Sequence, residues 1–449
     1  MEASNNIPKG LSWLSNNTSL ILITMKNIKP YNRNKYIGCS QNLDLYGVVI
    51  ERARKNYLID INGKKYIDML SSASSLPLGY EREDLVKAYT DQCKKVPHTC
   101  TVYTYTPIVD EYVKRLIKTS KIKNAKVLLG AFGSDSIDAA LKCAQAYTGK
   151  KKFIAFKKAY HGGTFLSLAS NGFEGIKKNL YLPDLFTHIN YPTTEHYKKT
   201  LSEIEKILKK GDTAALMMET ILGDGGVFLP DVEFYKNIKK LLHKYGAILI
   251  FDEIQTGMGR TGTFWGYEQF KIQPDLFCSA KGLGGGYAVL SACIGRAEII
   301  DSLANCQNAF TLSAHSASCA VGLRVINAIY EEKVMKNVKK VSRLLQNFFK
   351  KNLKDSEIFL EVRGKGLMLG IALRSDKSIG SHIGKLCLKE GVYIGYYGEN
   401  NNVLRIHPAL NINSRIALEG AKRIVRAIKL FESNQEKYSK NNFLSFFTS

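Results

Sequence analysis

The sequence contains no C-x-x-C pair, no long apolar run, no P-loop, no G-x-S-x-G elbow and no internal repeat. Nine cysteines, odd in number and scattered, argue against a disulfide framework or a zinc ribbon and for reduced thiols in the cytosol. No metal site is expected. The apolar stretch from Leu20 to Thr24 is too short for a bilayer span or a signal core, so neither a membrane nor a secreted location is expected. Acidic side chains are few, 40 against 64 basic ones, which leaves a net charge of +24. Such a surplus admits nucleic-acid or anionic partners but says nothing about chemistry. Its runs, Lys239-Lys240 through Lys244 and Lys336 through Lys340, fall on amphipathic helices, and they are not interleaved with aromatics along one face. No nucleic-acid site is therefore expected. With 45% hydrophobic and 23% charged residues, collagen-like and wholly disordered chains are excluded.

What is present is a large α/β pattern. Residues 1–35 read as a loose arm and 433–449 as a loose tail. Asn62-Gly63 between two short apolar runs predicts a hairpin. Short apolar runs predict strands over 125–129, 152–156, 214–219, 247–251 and 276–279. Helices are expected over 136–147, 198–208 and 232–245, and such alternation implies a mainly parallel sheet covered on both faces. Beyond residue 320 come helices over 319–332 and 334–352, strands over 359–362, 368–373 and 403–406, and a helix over 414–432. The expected division is a small α+β domain built from both termini, residues 36–75 and 321–432, around a large domain over 76–320.

Gly257-Met258-Gly259-Arg260-Thr261-Gly262 fits the dinucleotide fingerprint G-x-G-x-x-G. That fingerprint needs its glycines to join a strand directly to a helix, and here five residues, Asp252 through Thr256, intervene. The same segment makes better sense as the end of a buried strand that delivers Asp252 and Glu253 to the carboxyl edge of a sheet, where such sheets bind ligands. A second apolar run ends at Lys281, followed by glycines. A desolvated lysine there becomes a free amine able to attack a carbonyl. Upstream, Gly130, Phe132 and Gly133 open a helix whose N-terminus suits a phosphate. Amine, carboxylate and phosphate cradle together match pyridoxal 5'-phosphate, with the carboxylate keeping the pyridine nitrogen protonated.

At about residues 45–425 the chain resembles the class III (subgroup II) aminotransferases of the fold-type I pyridoxal-phosphate enzymes. The resemblance rests on the run from Leu249 to Gly262, Pro274-Asp275 and Ser279-Ala280-Lys281-Gly282. It extends to Gly133-Ser134-Asp135, Tyr160-His161-Gly162, Glu219 with Gly223-Asp224-Gly225-Gly226, Arg363-Gly364-Lys365-Gly366, and Leu404-Arg405-Ile406 with Pro408. It implies that Lys281 is the Schiff-base lysine and the base that moves the substrate proton. Asp252 pairs with the pyridinium nitrogen, Gln255 reaches the ring hydroxyl and Tyr160 covers one ring face. Gly133 and Ser134 hold the phosphate, and Thr311 reaches the phosphate of a neighbouring subunit, so a homodimer is implied. Arg405 would clamp a substrate carboxylate beside Glu219, with Asp224 as its candidate gate.

Several positions depart from the family pattern: Phe132 for a small hydroxyl residue, Thr220 for proline, Ala314-His315-Ser316 for Gly-Asn-Pro, and Tyr80 for histidine. Ala73 is small where ornithine-using relatives carry tyrosine, which weakens an ornithine assignment. His161 and His315 are read as structural, and the Gly-Asp-Gly-Gly turn around Asp224 serves conformation as readily as chemistry. The expected activity is transamination between an amino acid or amine and a 2-oxo acid with ping-pong kinetics. The alternative is an amino-acid racemase or 2-epimerase of the same family, which needs a second acid or base, Asp224 or Tyr103. A non-catalytic homologue would lack the lysine or the aspartate.

Overall fold

A computed structural model describes residues 36–41, 46–375, 377–398 and 400–434. The expected loose arm and all but two residues of the expected tail lie outside these. The chain forms two units, residues 1–48 and 49–449. In the first, the described residues include one short 3-10 turn, Cys39–Gln41. All that follows belongs to the second.

Three strands open it: β1 (Ile50–Arg54), β2 (Tyr57–Asp60) and β3 (Lys65–Asp68). The hairpin β2–β3 closes where Asn62-Gly63 was expected to turn it. The Asp60 carboxylate accepts hydrogen bonds from Asn62 N and Lys64 N, both at 2.9 Å, and Gly63 takes φ +79°. Seven strands then form the central sheet: β4 (Ala125–Gly130), β5 (Lys152–Phe156), β6 (Phe186–Ile189), β7 (Thr213–Glu219), β8 (Ile248–Asp252), β9 (Leu276–Ser279) and β10 (Ser291–Arg296). Their spatial order is β4-β10-β9-β8-β7-β5-β6. β6, β5, β7, β8 and β9 pair in parallel, while β10 runs antiparallel between β9 and β4. β7 and β8 are buried at every residue, as strands covered on both faces must be. The helix Gly133–Thr148 lays Ile137, Ala140, Leu141 and Ala144 on one face of this sheet.

The chain continues through the helices Ser316–Glu331 and Val334–Asn352 into β11 (Phe359–Lys365), β12 (Met368–Leu373), β13 (Val392–Tyr393), β14 (Gly395–Tyr397) and β15 (Val403–Ile406), and ends in the helix Ser414–Glu432. β11-β12-β15-β14 form one antiparallel sheet, and β13 adds in parallel to β3, so strands from both ends of the chain share a sheet. Among the described residues, no helix is long and apolar enough to cross a membrane.

Candidate active site

The parallel strands point their carboxyl ends the same way, and register decides which residues meet there. Glu219 ends β7 beside Asp252, which ends β8, and Asp252 lies opposite Cys278 of β9. Three residues past Cys278 the chain reaches Lys281. Gly133 and Ser134 follow the end of β4, and Tyr160 and His161 follow the end of β5. The sheet therefore gathers to one edge what the sequence spreads over 150 residues.

Asp252 is buried and doubly held. Its Oδ1 accepts from Ile254 N at 3.0 Å, and its Oδ2 lies 2.8 Å from His161 Nδ1. His161 is itself buried and is fixed by its N–H donating to Asn171 Oδ1 at 2.5 Å. Glu219 accepts from Tyr160 N at 3.1 Å and Gly223 N at 2.8 Å. Burial, with Asp252 and Asp224 nearby, pushes its carboxyl well above the usual range. The Lys281 side chain is only partly covered, yet desolvation lowers its pKa against the pull of Asp224, Asp252 and Glu219. A lysine so placed holds a larger share of free amine than a surface lysine, which is what nucleophilic and base chemistry require.

The phosphate end is the N-terminus of the helix Gly133–Thr148. Asp135 Oδ2 accepts from Ala131 N and Phe132 N, at 3.0 and 2.9 Å, which shapes the turn; Asp135 N bonds back to the Phe132 carbonyl, while the Gly133 and Ser134 N–H groups precede any intrahelical acceptor. Ser134 Oγ accepts from Gly163 N at 3.0 Å. Gly162 takes φ +141°, and a Cβ there would stand 2.4 Å from Ser134 Oγ, so only glycine lets the two loops close on each other.

Arg405, on β15, points its Nη2 at Asp224 Oδ1 across 3.3 Å, an ion pair without hydrogen-bond geometry. Its guanidinium stacks over the Tyr397 ring at 4.7 Å, and its Nε lies 3.3 Å from Nδ1 of the fully buried His407. Nearby, Arg260 is buried with its guanidinium donating to the Leu367 and Pro408 carbonyls, and burial beside Arg405 pulls its pKa down to about 9, still protonated at neutral pH. Ser71 through Ser74 all take positive φ, between 44° and 75°, a left-handed turn that costs roughly 1–2 kcal/mol per residue for L-amino acids.

The structure thus brings Lys281, Asp252, Glu219 and Tyr160 to one strand edge, and electrostatic coupling links Lys281 to Asp224 and Arg405. Gln255 is buried, and its Oε1 lacks a partner although a Cβ on Gly223 would touch it. Thr311 stands apart in an exposed turn, its carbonyl 2.7 Å from His98 Nε2. Sequence reasoning did not find the pairing of His161 with Asp252 or of His407 with Arg405. The second carried a signal: residues two apart on an extended chain share a face.

The orphaned acceptor on Gln255, the Asp252 carboxylate, the lysine and the helix N-terminus form a donor and acceptor set that fits pyridoxal phosphate. The sheet order and strand directions define the fold of the fold-type I pyridoxal-phosphate transferases. A solved transaminase from the marine bacterium Virgibacillus superposes with a TM-score of 0.82 at 26% identity, covering 86% of this chain and 94% of that one. The chain belongs to the class-III aminotransferase family, whose model matches residues 39–428. Curated relatives include an alanine/serine racemase of Pyrococcus horikoshii, 32% identical over 88% of both chains. A probable gamma-aminobutyrate transaminase of Oryza sativa is 33% identical over 80% of this chain and 78% of its own.

Proposed function

We propose that this protein is a pyridoxal-phosphate-dependent aminotransferase that moves an amino group from an amino acid or amine to a 2-oxo acid, with Lys281 as the covalent anchor and base. The observation that carries this reading is the desolvated Lys281 one strand from Asp252, at the edge shared with Glu219. When bound, the cofactor supplies a ring that accepts electrons from the substrate carbon. The chain supplies the rest. Asp252, oriented by His161 and the Ile254 N–H, holds a proton on the ring nitrogen. Gln255 takes the ring hydroxyl, and Tyr160 covers the ring. Gly133 and Ser134 bind the phosphate, with Thr311 of a second subunit, and Arg405 receives a substrate carboxylate once Asp224 yields.

The division into residues 36–75, 76–320 and 321–432 is part of this reading, supported by the placement of the seven-stranded sheet within 125–296. A homodimer with sites at its interface is supported by exposed apolar side chains near the site segments, among them Tyr103, Phe132, Phe310 and Leu312. Free cysteines favour a reducing compartment, the cytoplasm.

Racemisation is the second reading, favoured by the racemase relative. It calls for a second acid or base on the opposite substrate face. Asp224 is paired to Arg405, and Tyr103 is 85% exposed, so neither is poised for that work within one chain. The test is spectral and chiral. Cofactor-loaded protein should show the visible band of lysine-bound cofactor, absent in Lys281→Ala. Adding an amino acid without oxo acid should bleach it stoichiometrically with release of an oxo product. Loss of optical activity with no oxo product would overturn transamination in favour of racemisation, and a wild-type protein without the band would overturn both.

A further inference from the structure

The left-handed turn Ser71–Ser74 contains no glycine, so something outside it must hold it. The Asp68 carboxylate accepts from Leu70 N and Ser71 N, both at 2.9 Å, and from Tyr80 Oη at 2.9 Å. Ser71 Oγ donates to the His407 carbonyl at 2.7 Å and lies 3.3 Å from Arg260 Nη2. At the far end, Ser74 Oγ comes to 2.9 Å from His407 Nδ1. Both ends of the turn therefore terminate on one residue, His407.

The same ring nitrogen faces Arg405 Nε at 3.3 Å. A guanidinium can only donate, so Nδ1 must carry the lone pair and the imidazole hydrogen must sit on Nε2, toward Tyr397 Oη at 3.3 Å. Burial and the surrounding cations Arg405, Arg260 and Lys281 all hold the ring neutral, which that role requires. With Nε engaged and one guanidinium face on Tyr397, the remaining free edge of Arg405 is the terminal pair Nη1 and Nη2, and Nη2 faces Asp224.

We propose that His407, seated by the left-handed Ser71–Ser74 turn, is a positioning residue that locks Arg405 by its Nε so that a substrate carboxylate is accepted end-on, at Nη1 and Nη2 alone. The proposal deepens the reading of Arg405 as the carboxylate contact and rests on it. It assigns the unusual serine-rich turn a task in selecting carboxylate-bearing amino donors over plain amines.

The test uses the full cofactor-loaded chain and three variants: His407→Leu, which removes the acceptor; His407→Asn, which restores an oxygen near Nδ1; and Ser74→Ala. L-alanine and isopropylamine serve as donors with and without a carboxylate, and propionate binding is measured by calorimetry as a readout free of turnover. His407→Leu should raise KM for L-alanine and weaken propionate about tenfold or more, with kcat nearly unchanged and isopropylamine unaffected. His407→Asn should stay near wild type, and Ser74→Ala should weaken propionate a few-fold. If His407→Leu does not fold, the other two variants decide: unchanged propionate binding in Ser74→Ala overturns the proposal. Equal losses for L-alanine and isopropylamine, or wild-type propionate binding in His407→Leu, also overturn it. A wild-type protein that lacks the visible band of lysine-bound cofactor refutes the aminotransferase reading instead, while propionate binding still judges His407; no binding by wild type rejects the proposal.

Discussion

Glu253 offers the sharpest test of the electrostatics beneath the site. It follows Asp252 directly, is fully buried, and receives four hydrogen bonds. Gly266 N and Thr256 Oγ1 reach Oε2 at 2.7 and 2.9 Å; Tyr267 N and Thr220 Oγ1 reach Oε1 at 2.9 and 3.0 Å. These bonds pin the glycine-rich segment that follows Asp252 against the sheet. Burial nonetheless dominates and pushes the carboxyl from 4.5 up to about 7. Because the folded value is raised, the folded state holds the proton more tightly than the unfolded chain. The stability this confers is present below 4.5 and is lost as pH rises through about 7. A gap of 2.5 units, from 4.5 to 7, amounts to about 3 kcal/mol.

Glu253→Gln removes that titration but introduces a different fault. Each carboxylate oxygen accepts one backbone N–H, so the amide NH2 must face either Gly266 N or Tyr267 N, a pH-independent cost of about 1–3 kcal/mol. The variant should therefore be the less stable protein near pH 5 and should gain on wild type by about 3 kcal/mol as pH approaches 8. Chemical denaturation of both proteins across that range, with slopes checked for two-state behaviour, measures the difference. A difference that stays constant with pH would refute the argument, because it would mean that the four donors cancel the desolvation.

Three other outcomes follow from the same geometry. Lys281→Met should stabilise the cofactor-free protein near neutral pH, since a desolvated amine with a lowered pKa opposes folding wherever the unfolded chain binds the extra proton; the advantage must shrink as pH climbs toward about 10. Melting curves at two pH values check this, and an advantage that grows with pH contradicts it. Gly162→Ala should cost about 2 kcal/mol or more and displace Ser134, weakening cofactor affinity in a titration of the loaded protein. His161→Leu leaves Asp252 Oδ2 buried without its donor and should lower kcat by about tenfold or more, whereas a role in packing alone predicts lost stability with kcat intact.

The strands that could be read from the chain are those whose identity is local. β5, β9, β12 and β15 fall on the residues expected, because each is a short apolar run bounded by turn formers. β8 begins and ends one residue later than expected, so that Asp252 belongs to the strand and not to the loop after it. β10 was not legible. Ser291–Arg296 carries a glycine and an arginine, and it is a strand because β4 and β9 offer hydrogen-bond partners on both sides. The same distinction runs through the site. Lys281 and Asp252 could be recognised from their own flanking sequence, but the register that sets Glu219 beside Asp252, and the loop that brings His161 to it, exist only in the folded sheet.

The Ser71–Ser74 turn shows why that limit is physical. Ser-Ser-Ala-Ser lacks the glycine or asparagine by which a left-handed stretch is usually recognised, and local preference alone would place it in an ordinary helix or loop. Four positive φ values in a row survive because Asp68, Arg260 and His407, residues as distant as 336 positions along the chain, hold the turn from both ends. A conformation disfavoured by its own residues and enforced by long-range hydrogen bonds is maintained at a cost to stability. Relaxing it should therefore be easy. Replacing Asp68 by Ala removes the acceptor shared by the Leu70 and Ser71 N–H groups and the partner of the Tyr80 hydroxyl. The turn would then be free to unwind, which withdraws Ser74 from His407 and loosens Arg405. Such a protein should lose carboxylate selectivity before it loses its fold, which places the strain in the service of the site.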